Sequence, residues 1–248
     1  MALRISTMTG IVKLNHTFPL KKVYDLLQPC HDIKFIEFGE NYKGDIDKKN
    51  LKKREKQTKK YFYNQITIHL WVEDSHVQKY INVKIFNNGS LQMTGINSKE
   101  LGQVAIDKVI RQFNSMNSND PFYSSPLQLI EYYISMINSD FHVNFKINRD
   151  KLNQLILEMG MYSSYEPCIY PGVNIKYYFK ESKSHGICDC EGICDGKGLK
   201  GNCKKITIVA FNSGAVMITG GKDIRHYHQV YEFISKLLNE NRSLLEHK

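Results

Sequence analysis

Alternating apolar and polar positions mark strands at several points along the chain. Over Tyr63–Val72, the residues Ile66, Ile68, Leu70 and Val72 share one face, and Tyr63, Gln65, Thr67, His69 and Trp71 share the other. Over Tyr170–Phe179, the inward set is Val173, Ile175, Tyr177 and Phe179; the outward set is Tyr170, Asn174, Lys176 and Tyr178. A period of two with one apolar face predicts strands covered on one side. Two more alternating stretches, YINVKI and KKITIVA, run into Asn-x-Gly turns and continue beyond them, which predicts hairpins. After each hairpin the period becomes helical. Leu101, Ala105, Val109 and Phe113 share a helix face, with Asn97 as the expected cap and Glu100 three residues on. Ile224, Tyr227, Val230, Tyr231, Ile234, Leu237 and Leu238 form a second stripe behind an Asp223 cap. Shorter amphipathic segments, Leu20–Leu27 and Leu152–Met159, open each half.

The two hairpins are copies of one another. FNNGSLQMTG (Phe86–Gly95) and FNSGAVMITG (Phe211–Gly220) are identical at five of ten positions and stand 125 residues apart. Each half therefore reads as strand, helix, several antiparallel strands and a long helix. The halves are expected at 1–115 and 129–248, with a polar linker at 116–128. The fold class is α+β: two repeats about a pseudo-twofold axis, forming one antiparallel sheet backed by helices on one face. The other face is left open. On the hairpins it carries Lys84, Phe86, Gln92 and Thr94 in the first copy, and Val209, Phe211, Met217 and Thr219 in the second. Apolar wedges beside lysines suit a DNA minor groove, where the wedge unstacks a base step and lysine neutralises phosphate. Thr and Asn can reach the acceptors of A·T pairs on the groove floor.

Composition narrows this picture. The 248 residues carry 34 Lys+Arg against 25 Asp+Glu, a formal net charge of +9, which favours an anionic partner. No apolar run is long enough to span a membrane, and the start MALRISTMTG has no apolar core of a secretory signal. An intracellular setting with reduced cysteines is expected. No phosphate-binding loop, GxSxG, HExxH or paired-carboxylate motif is present, so no enzyme is expected.

Two insertions interrupt the repeats. Residues 43–60, KGDIDKKNLKKREKQTKK, hold nine Lys/Arg and three acids: a solvated loop, an extra phosphate contact or a basic nuclear-targeting signal. Residues 183–204 carry Cys188, Cys190, Cys194 and Cys203 as C-x-C-x3-C-x8-C. Four thiolates can surround one tetrahedral Zn, a structural site with no open position. Reduced or redox-active thiols are the competing reading, and His185 is a candidate substitute ligand. Cys30 and Cys168 stand alone.

The motifs SSYEPCIYPG (Ser163–Gly172), AFNSGAVMITGGK (Ala210–Lys222) and IFNNGSLQMTG (Ile85–Gly95) resemble those of the TATA-binding protein family. The cysteine insertion resembles the divergent members found in large nucleocytoplasmic DNA viruses. The resemblance implies a saddle with helices on its convex side and four DNA-kinking aromatics, two per repeat. Tyr170 and Phe211 match the second pair and Phe86 one of the first. Tyr63 is chosen for the other, with Tyr61 and Phe62 as alternatives. Thr94 and Thr219 match the groove-floor threonines; Lys176 and Lys222 match phosphate contacts. Ser90, Asn97 and Ala215 stand where the family has lysine. A central Asn of the family falls at Thr7 or Thr9 in one half, and at Met136 or Asn138 in the other.

The expected function is a transcription initiation factor that binds and bends duplex DNA, preferring AT-rich sites, with the second half the better groove reader. The alternative is a protein-interaction scaffold on the same fold that has lost most DNA affinity. Implied partners are double-stranded DNA, RNA polymerase machinery and a transcription factor IIB-like protein docking at Glu166 and Ile169. The implied location is the nucleus or a cytoplasmic viral factory, with packaging in the virion a further option.

Overall fold

The computed structural model describes residues 2–45, 61–75, 77–119 and 123–247. Its elements, in chain order, are β1 (Arg4–Leu14), α1 (Leu20–Leu26), β2 (Ile33–Phe38), β3 (Asn41–Gly44), β4 (Gln65–Glu73), β5 (Gln78–Phe86), β6 (Ser90–Ile96) and α2 (Lys99–Asn119). The order then repeats as β7 (Leu129–His142), α3 (Arg149–Glu158), β8 (Tyr162–Ser164), β9 (Val173–Phe179), β10 (Lys204–Ala210), β11 (Ala215–Thr219) and α4 (Ile224–Glu240), with a short α5 (Arg242–Leu245) added. The strands form one antiparallel sheet in the order β3-β2-β4-β5-β6-β1-β7-β11-β10-β9-β8. The chain divides into two compact units, Met8–Ser135, and Met136–Lys248 with Met1–Thr7. The first seven residues thus belong with the second unit, where Arg4 pairs with Asp140 and Ser6 donates to the Asn138 carbonyl.

In the unit Met8–Ser135, the alternation predicted for β4 is what buries the core. Ile66, Ile68, Leu70 and Val72 lie under α1 and α2 with Val83, Ile85, Leu91 and Met93 of the hairpin. Leu101, Ala105, Val109 and Phe113 are the buried face of α2, as their spacing predicts. The cap differs from expectation. Ser98 Oγ accepts from Leu101 N at 3.0 Å, so the helix starts one residue later, and Asn97 Oδ1 is buried without a partner. Lys43 opens the basic insertion but is used internally. Its Nζ donates to the carbonyls of Tyr24, Asp25 and Leu27 at 2.7, 3.1 and 3.0 Å, closing the C-terminal end of α1. Residues 46–60 of that insertion lie outside the described residues.

The second unit repeats the plan. Val173, Ile175 and Tyr177 of β9 bury against α3 and α4, and Ile206 and Ile208 of β10 are buried beside Tyr177 and Ile175. Asp223 caps α4 in a capping box with His226. Tyr227, Val230, Ile234, Leu237 and Leu238 are buried as expected. Ile224, predicted in the same stripe, is exposed, because it sits at the first helical position before the stripe turns inward. The repeated turn glycines have a steric cause. Both hold positive φ, +80° at Gly89 and +90° at Gly214. A Cβ would lie 2.0 Å from the His16 carbonyl oxygen at the first, and 2.6 Å from those of Phe145 and Val143 at the second.

Candidate nucleic-acid interface and cysteine cluster

The helices cover one face of each unit's sheet, and the register assigns the other face residue by residue. Paired residues share a face. In the first unit one row runs Glu37–Thr67–Lys84–Gln92–Ile11, and the next runs His69–Asn82–Thr94–Thr9. In the second unit the matching rows are Ser164–Asn174–Val209–Met217–Asp140 and Tyr162–Lys176–Thr207–Thr219–Asn138. The register also locates one candidate of each pair on the first strand of each repeat. Thr9 stands opposite Thr94, and Asn138 opposite Thr219. Asn138 Oδ1 accepts from the Thr219 hydroxyl at 2.5 Å.

The candidate wedge residues stand at the ends of these rows. Tyr63 and Tyr170 lie in the turns before β4 and β9, not within the strands as the alternation alone suggested. Their equivalence follows from register: Thr67 pairs with Lys84 as Asn174 pairs with Val209, and each tyrosine stands four residues before. Phe86 ends β5, opposite Gln65, and Phe211 follows β10; both are half-buried. Tyr170 and Phe211 meet edge to face with ring centroids 6.0 Å apart. Gly172 makes this possible: a Cβ there would lie 2.4 Å from Val209 Cγ1 and 3.1 Å from each ring. That crowding also covers Val209, which lies on the open side as predicted but is only 6% exposed. Tyr63 instead packs edge-on against Phe38, centroids 6.1 Å apart, with its ring over Gly39. Tyr61 and Phe62 line a recess of about 300 Å³ with Gln65, Thr67, Asn82 and Lys84.

The basic groups are uneven. Lys176 donates to Thr207 Oγ1 at 3.0 Å; burial, then the nearby Lys205, lowers its pKa. Lys205 faces the open side opposite Tyr178, and Lys222 is exposed before α4. Lys205 was not among the residues expected at the site, although the outward phase of KKITIVA, with Thr207 and Val209, contains it. Acids also stand on the open side, Glu73 at the far end of β4 among them. Arg4 Nη2 donates to both carboxylate oxygens of Asp140, at 2.9 and 3.1 Å, and Glu37 stands in the row of Lys84. The amide of Asn174 has its Oδ1 buried without an internal partner.

The turn Tyr165–Gly172 projects from the sheet. The backbone N–H groups of Ile169 and Tyr170 both donate to the Glu166 carbonyl. The Arg149 guanidinium lies over the Tyr165 ring and donates to the Pro171 carbonyl. Glu166 is exposed, and Ile169 is 84% exposed, an apolar tip with nothing covering it.

The cysteine insertion joins β9 to β10, at the end of that pair remote in register from Tyr170 and Phe211. The sulfurs of Cys188, Cys190, Cys194 and Cys203 all lie within 4.8 Å of one another, a group able to hold a metal ion. All four are free thiols, as are Cys30 and Cys168. The Asn202 N–H, donating at 3.2 Å, leads the causes that lower the Cys190 thiol to about 7; burial pushes Cys203 up to about 12. His185 is not in the cluster. Its Nδ1 accepts from Ile187 N at 3.1 Å and closes a turn instead.

Comparison with known proteins places this architecture. The TBP of Methanococcus jannaschii, a solved structure, matches with a TM-score of 0.54 over 98% of this chain and 99% of that one, at 17% identity. The class is thus the TBP fold, a single antiparallel sheet with helices. No family model matches the sequence. A TATA-box-binding protein-like protein of Acanthamoeba polyphaga mimivirus is 32% identical over 203 residues, 76% of this chain and 51% of that protein. The TATA-box-binding protein of Candida albicans is 26% identical over 158 residues, and that of Saccharomyces cerevisiae 25% over 160. The chain belongs to the TATA-box-binding protein-like family. It spans about half the length of these relatives. Among the described residues no helix is long and apolar enough to cross a membrane.

Proposed function

We propose that the chain is a transcription initiation factor that binds duplex DNA in the minor groove through the open side of its sheet and bends it. The observation that carries the reading is the in-register recurrence, in both repeats, of an aromatic pair (Tyr63 with Phe86, Tyr170 with Phe211) and of a threonine facing a small polar residue (Thr94 with Thr9, Thr219 with Asn138). Aromatics wedge base steps open, while the hydroxyl and amide groups donate to A N3 and T O2 on the groove floor. Lys176, Lys205 and Lys222 supply phosphate contacts. The turn at Glu166 and Ile169 suits a transcription factor IIB-like partner, since an exposed apolar tip beside a charge is an anchor with a rim contact. The setting follows as the nucleus or a viral factory. The cysteine cluster enters as a structural zinc site apart from the DNA contacts.

A second reading, the protein-interaction scaffold, is favoured by Glu37 and Asp140, two carboxylates on the side that would meet phosphate. Gel shifts on AT-rich and GC-rich duplexes separate the two. Binding to the AT-rich duplex that weakens steeply with salt supports the first. No shift of either duplex at about 50 mM salt, where phosphate contacts are strong, overturns it.

A further inference from the structure

The cysteine insertion has no core of its own. Between Lys183 and Lys204 the only buried side chain is that of Cys203; Ile193 and Leu199 are 80% and 84% exposed, and Ile187 is exposed as well. The segment forms no helix and no strand, only the isolated bridges Lys180–Lys183 and Lys197–Lys204. A chain so poor in apolar burial does not offset its conformational entropy by packing. Yet it is folded around four sulfurs. Cys203 Sγ lies 3.4 Å from Cys190 Sγ and 3.8 Å from Cys188 Sγ, beyond bonding contact and near the edge of about 3.8 Å that a tetrahedron with Zn–S of about 2.3 Å requires. Gly201 is pressed against the cluster at φ +79°; a Cβ there would lie 2.9 Å from Cys194 Sγ and 3.1 Å from Cys190 Sγ. The Asn202 N–H aimed at Cys190 is the kind of donor that supports a metal-bound thiolate.

The insertion is also tied to the helix side of the second unit. The Tyr177 hydroxyl donates to the Ser184 carbonyl at 2.9 Å. Gln229 of α4 donates to both the Tyr177 hydroxyl and the Lys183 carbonyl, at 2.8 and 2.9 Å. Arg225 pairs with Glu181 at 2.8 Å. Asp189, set between the first two cysteines, is held by Lys180 at 2.8 Å and by Lys183.

We infer that one Zn2+ bound by Cys188, Cys190, Cys194 and Cys203 folds residues 183–204 and, through Tyr177 and Gln229, clamps the first half of α4 to β9. This rests on the structural zinc reading above and adds what the metal does to the fold. On binding, each thiol gives up its proton to solvent and each sulfur donates an electron pair to the ion; nothing is oxidised. The resulting complex carries two negative charges, and Lys180 and Lys183, one positive charge in excess of the Asp189 they hold, offset part of it.

The test uses the whole wild-type chain. Purified under reducing conditions, it should carry about one zinc per molecule by elemental analysis. Replacement by Co2+ should give the intense near-ultraviolet charge-transfer band of cobalt thiolates, together with tetrahedral visible bands. Removal of zinc by a chelator should raise amide hydrogen exchange across residues 183–204 and at the start of α4, without changing exchange in β4–β6. Cys194→Ser should lower metal occupancy, whereas Ile193→Ser, an exposed neighbour, should not. Failure of the reduced chain to take up stoichiometric zinc, or a mass showing disulfides in the freshly purified protein, overturns the site. Zinc uptake with unchanged exchange at α4 overturns the clamp. DNA binding by the zinc-free chain is read separately, so loss of the metal inference and loss of the DNA reading are told apart.

Discussion

The two repeats share a backbone plan but differ in how they hold their aromatic side chains. In the second repeat Tyr170 and Phe211 touch each other, because Gly172 leaves room for both rings. In the first, Tyr63 leans on Phe38 and Gly39. The rows behind the wedges differ too: Val209 and Met217 in the second repeat stand where Lys84 and Gln92 stand in the first. An apolar row gives up little solvation when it enters a groove, whereas a lysine and an amide must exchange water for groove partners. The difference teaches that a repeat can preserve strand pairing while the cost of burying its open side diverges. The second repeat is accordingly the stronger groove reader in our proposal.

The largest effect should come from the aromatic pairs. Tyr170→Ala with Phe211→Ala should weaken binding to an AT-rich duplex by about 2 kcal/mol or more, roughly thirty-fold, and reduce bending measured by end-to-end fluorescence transfer. Tyr63→Ala with Phe86→Ala should cost less; equal losses would erase the asymmetry. Next is Gly172→Ala, which forces Val209 and both rings apart and should lower stability by about 1–3 kcal/mol in denaturant unfolding while weakening DNA binding. The reciprocal exchange follows. Lys84→Val with Gln92→Met should raise groove affinity of the first repeat, and Val209→Lys with Met217→Gln should lower that of the second, each within about tenfold as read by equilibrium titration. Lys205→Ala should flatten the slope of log affinity against log salt by about 0.9, the signature of one lost phosphate contact.

The smallest effect concerns the helix caps. Ser98 caps α2 without a titratable group, whereas α4 depends on Asp223 and His226. Burial lowers the His226 pKa, so the unfolded chain binds the proton more readily. Stability should therefore be full above the ordinary histidine value of about 6.5 and decline as pH falls below it, levelling off once pH passes the depressed folded value. Thermal melting of wild type against His226→Gln between about pH 7.5 and 5 reads this, and the variant should lose less stability over that range than wild type.

Much of the layout of the candidate interface was legible in the sequence because strand alternation and the hairpin repeat are local. Phe86, Thr94 and Thr219 fall on the open side where their phase puts them, and Phe211, just past β10, meets Tyr170. The cysteine spacing likewise sufficed to propose one cluster, since four thiols within so short a chain have few ways to stay apart. The cap of α2 was misread because Asn97 and Ser98 are both good caps, and only the start of the helical hydrogen bonding chooses between them. His185 was a reasonable ligand by position, but its ring is spent on a local turn.

What the sequence determined by itself was the sequence of elements, the inward faces of β4, β9, α2 and α4, and the family motifs. These depend on periodicity and short-range turn chemistry. What only the tertiary structure decided was anything set by pairing between distant segments. That Thr9 stands opposite Thr94, and Asn138 opposite Thr219, rests on strand register. The contact between Tyr170 and Phe211 rests on the space above Gly172, and the use of Lys43 to close α1 rests on β3 passing its end. Two candidates on the same strand face satisfy one alternation equally well, and only a partner strand, whose register is fixed by packing along its whole length, sets which residue each one faces.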